Sequence, residues 1–389
     1  GSAAANFWPA VVEASQARLP LIMLTADRPP ELLGCGANQA IDQCKMYGDY
    51  VRAVYHLPCP TREIAPGYVL TTVDEAVHRA CHAPAGPVQL DCQFREPLAP
   101  VPEERRHAAY LTDLQDWRQG ARPFTRWYPQ VGSAKLSAHR DLWSRISGLA
   151  QEPGGHAGPV NRLRHGLLLV GRLRDEAESA QVREFARQLG WPAYPDILSG
   201  LRTGAAEPPW IHHYDSLLLE SYWRTACAPE VVLHLGGPIT SKRLTEHLAR
   251  LRPEYFHVAE HPLRQDQDHL VTYRIEADLS RFLAGLCTEF THAPTVQQSL
   301  GVETMAAASA RVDKVIADLC DHTATFTEIH VARIVSRLRP EGTPLFVGNS
   351  MPIRDLDRFA DPEGPPGPVY ANRGASGIDG NLATAVAHA

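Results

Sequence analysis

Gly166-Leu167-Leu168-Leu169-Val170-Gly171 decides the fold. A continuous apolar run of strand length, bounded by glycines, reads as a strand buried on both faces of a parallel sheet. Asp175 to Leu189 follows with the period of an amphipathic helix, and Val231-Val232-Leu233-His234-Leu235-Gly236-Gly237 is a second such strand. Strand, helix, strand is the βα plan of a doubly wound sheet. The plan recurs on either side. Toward the start, Leu19 to Thr25 (LPLIMLT) is another apolar run of the same doubly covered type, stopped by Ala26-Asp27-Arg28-Pro29-Pro30-Glu31. Thr72 to His82 reads as a helix and Gly86 to Cys92 as a strand. Toward the end, helical patterns over Met305 to Leu319 and Ile329 to Leu338 precede the strand Pro344-Leu345-Phe346-Val347-Gly348. Val369 to Gly380 then reads as a short buried strand, a loop with three glycines and the first turn of a helix. Three α/β domains in series are predicted, with Pro97, Pro100 and Pro102 marking a linker after the first.

A chain of 389 residues is long enough for two or three domains with ample core. Its formal charge of −6, with no basic tract, argues against a nucleic-acid partner. No apolar run approaches the roughly 18 residues of a membrane-spanning helix. The eight cysteines include no CxxC pair and read as free thiols of a reducing compartment, not as a disulfide framework or zinc site. No residue is assigned as a metal ligand.

Polar residues just past the carboxyl ends of parallel strands lie where such sheets bind ligands. Arg28, Asn38, Gln39, Lys242, Arg243, Ser350, Arg354 and Arg373 occupy such places. Ser241-Lys242-Arg243 stands at a helix start, where free N–H groups favour anions, although a solvated basic turn reads as well. Arg373, at the mouth of the three-glycine loop, is either a holder of carboxylate or phosphate or the partner of a nearby acid. Five of these eight residues are cationic, and none belongs to a recognised nucleophile motif. Such a set suits substrates with several carboxylates and leaves the hard chemistry to a cofactor. The glycine fingerprint GxGxxG is missing from the strand-to-helix turns, which weakens a nicotinamide reading.

The loops TADRPPE and GANQAI, then TSKR, GNSMPIRD and NRGASGIDG, resemble in this order and spacing the MenD family. These are the thiamine-diphosphate-dependent 2-succinyl-5-enolpyruvyl-6-hydroxy-3-cyclohexene-1-carboxylate (SEPHCHC) synthases of menaquinone and phylloquinone biosynthesis. The resemblance implies decarboxylation of 2-oxoglutarate on thiamine diphosphate and 1,4-addition of the succinyl carbanion to isochorismate. It implies that Arg28, Lys242, Arg243, Arg354 and Arg373 hold substrate carboxylates, and that Asn38, Gln39 and Ser350 hydrogen-bond the substrate or intermediate. Gln39, Ser350, Arg354 and Arg373 are assigned to the catalytic group, and Arg28, Asn38, Lys242 and Arg243 to substrate binding. Gly377 would let the backbone approach the cofactor, and Ile378 would prop its bent conformation.

The resemblance also implies three domains of thiamine-diphosphate-enzyme type, the first and last incomplete. Residues 1–98 would be the C-terminal part of the pyrimidine-binding domain, 99–125 a linker, 126–291 the central domain and 292–389 the N-terminal part of the diphosphate-binding domain. A homodimer or homotetramer is implied, with neither nucleic acid nor membrane as partner. GNSMPIRD, DILSG and HPLR…DHLVTYR resemble the plant and algal form, a module of a larger plastid protein; otherwise a cytoplasmic location is expected. The family's cofactor-activating glutamate and its GDG…N motif for magnesium and diphosphate are expected outside this segment, which alone would bind cofactor weakly and not turn over. Other thiamine-diphosphate decarboxylases or synthases, a non-catalytic binding module of the same fold and a nicotinamide dehydrogenase are the competing readings.

Overall fold

The computed structural model describes residues 1–99, 109–111, 114–120, 122–125, 166–204, 207–226, 228–261, 265–290 and 300–388. Pro100, Pro102 and the expected boundary at residue 126 lie outside them. The chain divides into two units, one from residues 1–131 with 372–380, the other from 132–371 with 381–389.

In the first unit, β1 (Leu21–Asp27), β2 (Ala53–Leu57) and β3 (Pro87–Gln93) form a parallel sheet in the order β1-β3-β2. The helix Pro66–Cys81 begins a turn and a half before the sequence pattern suggests, with Pro66 in the first turn, where its missing N–H costs nothing. Its Ala76 and Ala80 pack on Val88 and Leu90 of the central strand. On β1 one face is covered: Met23 and Thr25 are buried, whereas Leu24 is 69% exposed. The run LPLIMLT therefore departs from the expectation of cover on both faces. Uniform apolarity along a strand records its composition and carries no information about which neighbours cover it.

The second unit contains β4 (Gly166–Val170), β5 (Ala193–Pro195), β6 (Val231–Leu235), β7 (Glu254–Ala259) and β8 (Tyr273–Glu276). All are parallel, in the order β5-β4-β6-β7-β8. Here both faces are covered, as alternation along the strands requires. Leu168, Val170, Leu233 and Leu235 pack against the helices Glu176–Leu189 and Leu279–Phe290 through Val182, Phe185, Phe282 and Leu286. Leu167, Leu169 and Val232 pack on the opposite side with Leu244 and Leu248 of the helix Lys242–Leu251 and Met305 of the helix Leu300–His322. The helix Glu176–Leu189 starts where the sequence places it, because the Asp175 side chain accepts from the Glu178 N–H at 2.8 Å.

The last block adds β9 (Leu345–Phe346) and β10 (Val369–Tyr370), also parallel, with the helices Glu328–Leu338, Met351–Phe359 and Asn381–His388. Val347, Ile353, Leu356 and Val369 share a core with Ile197 and Leu198. Arg202 is fully buried; its Nε donates to the Asp357 carbonyl at 2.9 Å and its Nη2 to that of Arg358 at 3.3 Å. A cation thus serves the otherwise unpaired carbonyls at the end of the helix Met351–Phe359. Among the described residues no helix is long and apolar enough to cross a membrane.

The sheet order β5-β4-β6-β7-β8 places a topological switch between β4 and β6, the customary ligand crevice of a doubly wound sheet. Here the crevice is closed by backbone. A Cβ on Gly171 would lie 1.8 Å from the Gly237 carbonyl oxygen, and the Gly237 N–H donates to the Arg172 carbonyl at 3.0 Å. Two stacked imidazoles hold this turn: His234 and His257, 4.2 Å between ring centroids. His234 Nε2 donates to the Gly237 carbonyl at 2.8 Å and His257 Nε2 to that of Gly236 at 2.9 Å. A carbonyl can only accept, so both rings carry their proton on Nε2; His234 Nδ1 is then free to accept from the Tyr255 hydroxyl at 3.1 Å.

Burial pulls the imidazolium of His234 down to about 4 and that of His257, which also faces His234, to about 2. Above pH 6.5 neither folded nor unfolded chain protonates these rings, and the fold keeps its full stability. Below 6.5 the unfolded chain takes protons that the folded one refuses, so stability falls until the folded rings also titrate. For His234 alone the loss by pH 4 is about 3 kcal/mol. The urea midpoint of the second unit is expected to drop steadily between pH 6.5 and 4, with a shallower slope in His234→Gln. Equal slopes in the two proteins would refute this assignment.

Candidate functional site

The residues singled out from the sequence fall into two groups, one in each unit. In the first unit, Arg28 follows β1 directly. Its Nε donates to the Asn38 carbonyl at 3.2 Å and its Nη2 to Gln39 Oε1 at 3.3 Å. The TADRPPE and GANQAI loops therefore meet through the three residues expected to bind substrate. Gln39 holds φ = 64°, in the left-handed region.

The same unit contains residues 372–380. The N–H groups of Gly374 and Ala375 donate to the two carboxylate oxygens of Glu13, each at 2.8 Å. A Cβ on Gly374 would come within 2.5 Å of the Ala17 nitrogen, so only glycine lets this loop meet the helix Trp8–Ala17. The loop is thus an anion holder through its backbone amides, and the anion is the chain's own. Arg373 is half-buried, and among the described residues it has no acidic partner. Beyond it, a Cβ on Gly377 would meet nothing within 4 Å, and Ile378 is 61% exposed. Open space at a glycine beside an uncovered apolar side chain fits a cofactor laid against the backbone and propped from one side.

In the second unit one buried carboxylate organises the group. Ser241 caps the helix Lys242–Leu251, accepting from the Leu244 N–H at 3.2 Å and donating to Asp215 Oδ1 at 2.5 Å. Arg243 Nη1 donates to the Asp215 carbonyl at 2.8 Å and forms an ion pair with its carboxylate. Arg358, on the helix Met351–Phe359, brings Nε to 3.3 Å from the same carboxylate. The TSKR segment is thereby tied to the helix that begins in GNSMPIRD, through Arg358 three residues past that segment. Lys242 lies on the surface and pairs with Glu246 at 3.5 Å. Arg354 is exposed and has no acidic partner among the described residues. Ser350 precedes the helix with φ = 71° and ψ = −125°.

Positive φ separates these residues from the background. Among described non-glycine residues it occurs at Arg18, Gln39, Arg252, His269, Ser350 and Ser376. Arg18 and Arg252 are helix C-caps, where the left-handed conformation is ordinary. Gln39, Ser350, Ser376 and His269 cap no helix C-terminus; the first three stand in the loops already named, and His269 in the turn before β8. Such residues cost of order 1–3 kcal/mol each and cluster where function holds them.

Three contributors escaped the sequence reading. Asp215 lies in His212-His213-Tyr214-Asp215-Ser216, a segment with no periodic signal. Glu13 sits mid-helix, away from any strand end. Arg358 was findable, because it follows Arg354 by four residues on one amphipathic helix.

The family described as "Middle domain of thiamine pyrophosphate" matches residues 156–347. The chain is 40% identical over 387 residues to the 2-succinyl-5-enolpyruvyl-6-hydroxy-3-cyclohexene-1-carboxylate synthase of Salinibacter ruber, covering 99% of this chain and 63% of that protein. It is 40% identical over 391 residues to the synthase of the same name from Rubrobacter xylanophilus, covering 100% and 64%. "Protein PHYLLO, chloroplastic" of Arabidopsis thaliana is 36% identical over 414 residues, covering 100% of this chain and 23% of that protein. The chain thus spans somewhat under two thirds of the length of its bacterial relatives.

Two stability predictions follow from the geometry. Ser350→Gly removes the positive-φ strain and is expected to raise stability by about 1–2 kcal/mol after glycine's entropic cost. Asp215→Asn leaves two guanidinium groups half-buried without an anion and is expected to lower it by about 2–4 kcal/mol. Urea midpoints read both; a destabilised Ser350→Gly or a neutral Asp215→Asn would contradict these roles.

Proposed function

We propose that this chain belongs to the SEPHCHC synthase family of thiamine-diphosphate enzymes and is part of an enzyme that decarboxylates 2-oxoglutarate and adds the resulting succinyl unit 1,4 to isochorismate. The observation that carries this reading is two arginines that form no salt bridge among the described residues, Arg354 in the first turns of the helix that follows β9 and Arg373 in the loop that follows β10. Both substrates are dianions. A dianion gains most from guanidinium groups whose charge is not already neutralised by the protein.

On this reading Arg354 and Arg373 grip the carboxylates of 2-oxoglutarate. Arg28, already hydrogen-bonded to Asn38 and Gln39, presents a planar donor face to isochorismate, and Lys242 and Arg243, whose charges Glu246 and Asp215 already offset, add N–H donors at the helix start. Gln39 and Ser350, held in left-handed backbone conformations, orient the reacting groups by hydrogen bonds. Gly377 admits the cofactor to the backbone and Ile378 supports it. Thiamine diphosphate, together with Mg2+, would supply the electron sink for loss of carbon dioxide. The chain's own residues supply binding, orientation and charge. On this reading the domains run 1–98, 126–291 and 292–389 with a linker at 99–125, and the enzyme works as a homodimer or homotetramer. The chloroplastic Arabidopsis relative supports a plastid setting. A nicotinamide dehydrogenase is disfavoured, because the Gly171–Gly237 contact fills the crevice where a dinucleotide would lie.

The test uses the full-length protein with both substrates, thiamine diphosphate and Mg2+. Formation of the succinyl adduct with carbon dioxide release is expected. Release from pyruvate but not from 2-oxoglutarate would overturn the proposal. Arg354→Ala and Arg373→Ala should each lower kcat/KM for 2-oxoglutarate by roughly 10- to 100-fold, about 1.5–3 kcal/mol of a charge-assisted contact. Unchanged kinetics in both variants would remove them from the site.

A further inference from the structure

Outside the groups just described, the parallel register of the first sheet brings three metal-binding side chains together. β3 lies between β1 and β2, and Asp91 of β3 pairs with Thr25 on one side and His56 on the other. Residues in register across a parallel sheet present their side chains to the same face. Cys44, in the segment between β1 and β2, meets this row. Its Sγ lies 3.2 Å from His56 Nδ1 and 3.7 Å from Asp91 Oδ2, and His56 Nδ1 lies 3.6 Å from the same oxygen. All three donor atoms fall within 4.8 Å of one another.

These separations have a specific meaning. Around a tetrahedral Zn2+ with bonds near 2.3 Å to sulfur and 2.0–2.1 Å to nitrogen and oxygen, neighbouring donors stand about 3.3–3.6 Å apart. The observed triangle matches that edge length within a few tenths of an ångström. The carboxylate is also oriented as a ligand should be. Thr25 Oγ1 donates to Asp91 Oδ1 at 3.2 Å and itself accepts from Gln89 Nε2 at 2.9 Å, which leaves Oδ2 directed at Cys44 and His56. Asp91 is fully buried, whereas His56 is exposed, so an ion could enter from the solvent side. Partial burial first, and then the neighbouring Asp91, Asp42 and Asp27, push the half-buried Cys44 thiol up to about 12, and those carboxylates favour a cation beside it.

We propose that Cys44, His56 and Asp91 form a binding site for a borderline-soft divalent ion, Zn2+ by donor set, with a fourth position open to water. Binding exchanges the thiol proton for the metal: the Cys44 S–H bond breaks, a thiolate–metal bond forms, and one proton passes to solvent. Because Cys44 belongs to the segment that also carries Asn38 and Gln39, the ion fastens that segment to the sheet. The scattered cysteines gave no zinc spacing in the sequence, because this ligand set is assembled by strand register.

The experiment titrates the purified full-length protein with Zn2+ alone by calorimetry, and with Co2+ alone by absorption. One equivalent is expected to bind, with release of a proton and a thiolate-to-cobalt charge-transfer band. Losing an outer partner of a metal site typically weakens it 10- to 100-fold, so Cys44→Ser and His56→Gln, each removing a ligand, should weaken binding by at least about tenfold and abolish or shift the band. Cys35→Ser, a thiol elsewhere on the surface, should leave both unchanged. His56→Gln alters an exposed side chain and decides the question even where Cys44→Ser fails to fold, which circular dichroism reports. Absence of stoichiometric uptake, or uptake with equal affinity in the variants, would overturn the proposal.

Discussion

Asp215 sets the geometry on which the larger unit's candidate site depends. Its side chain is 4% exposed, and removing a carboxylate from water costs several kcal/mol unless charges and donors replace the lost solvent. Arg243, Arg358 and the Ser241 hydroxyl do so together, fixing the start of the helix Lys242–Leu251 against the helix Met351–Phe359. Arg202 grips the last carbonyls of the second helix from below. With one end tied to Asp215 and Arg202, the helix has little freedom to rotate, and Ser350 and Arg354 are carried by it at fixed places.

The arginines consequently divide by what they face. Arg243 and Arg358 spend their charge on Asp215, whereas Arg354 and Arg373 form no salt bridge among the described residues. The division matters because an ion pair already formed offers an incoming anion little net potential. The central sheet shows a related displacement of function. Its switch-point crevice is filled by the Gly171–Gly237 contact and locked by two neutral imidazoles. Polar groups suited to ligands appear instead beyond it, at the helix start that the same turn leads into.

Much of this was legible in the residues. LLLV and VVLHL are strands whose apolar side chains are covered by helices on both faces, and the Asp175 cap announced its helix. LPLIMLT carried the same signal, yet β1 is an edge strand with one open face, a property of strand order that no local pattern encodes. The loops TADRPPE, GANQAI, TSKR and GNSMPIRD were readable as polar segments near strand ends, and Arg28 does meet Asn38 and Gln39. Asp215 and Glu13 were not readable, since each acts on groups distant in sequence. The Cys44–His56–Asp91 group was invisible for the same reason: its members are separated by ordinary segments, and only register aligns them.

The clasp of Glu13 on Gly374 and Ala375 joins residues 361 and 362 positions apart. Closing so long a loop carries an entropic cost that grows slowly with length, but the time needed to bring its ends together is another matter. During synthesis the helix Trp8–Ala17 leaves the ribosome long before its partner loop exists, and at about 5–20 residues per second the wait is tens of seconds. Throughout that interval the Ala17 edge of the helix has no glycine packed on it and the carboxylate waits in water. Of the two units, the one begun earlier is therefore finished late, and a nascent chain halted before residue 374 exposes a surface that the later loop covers.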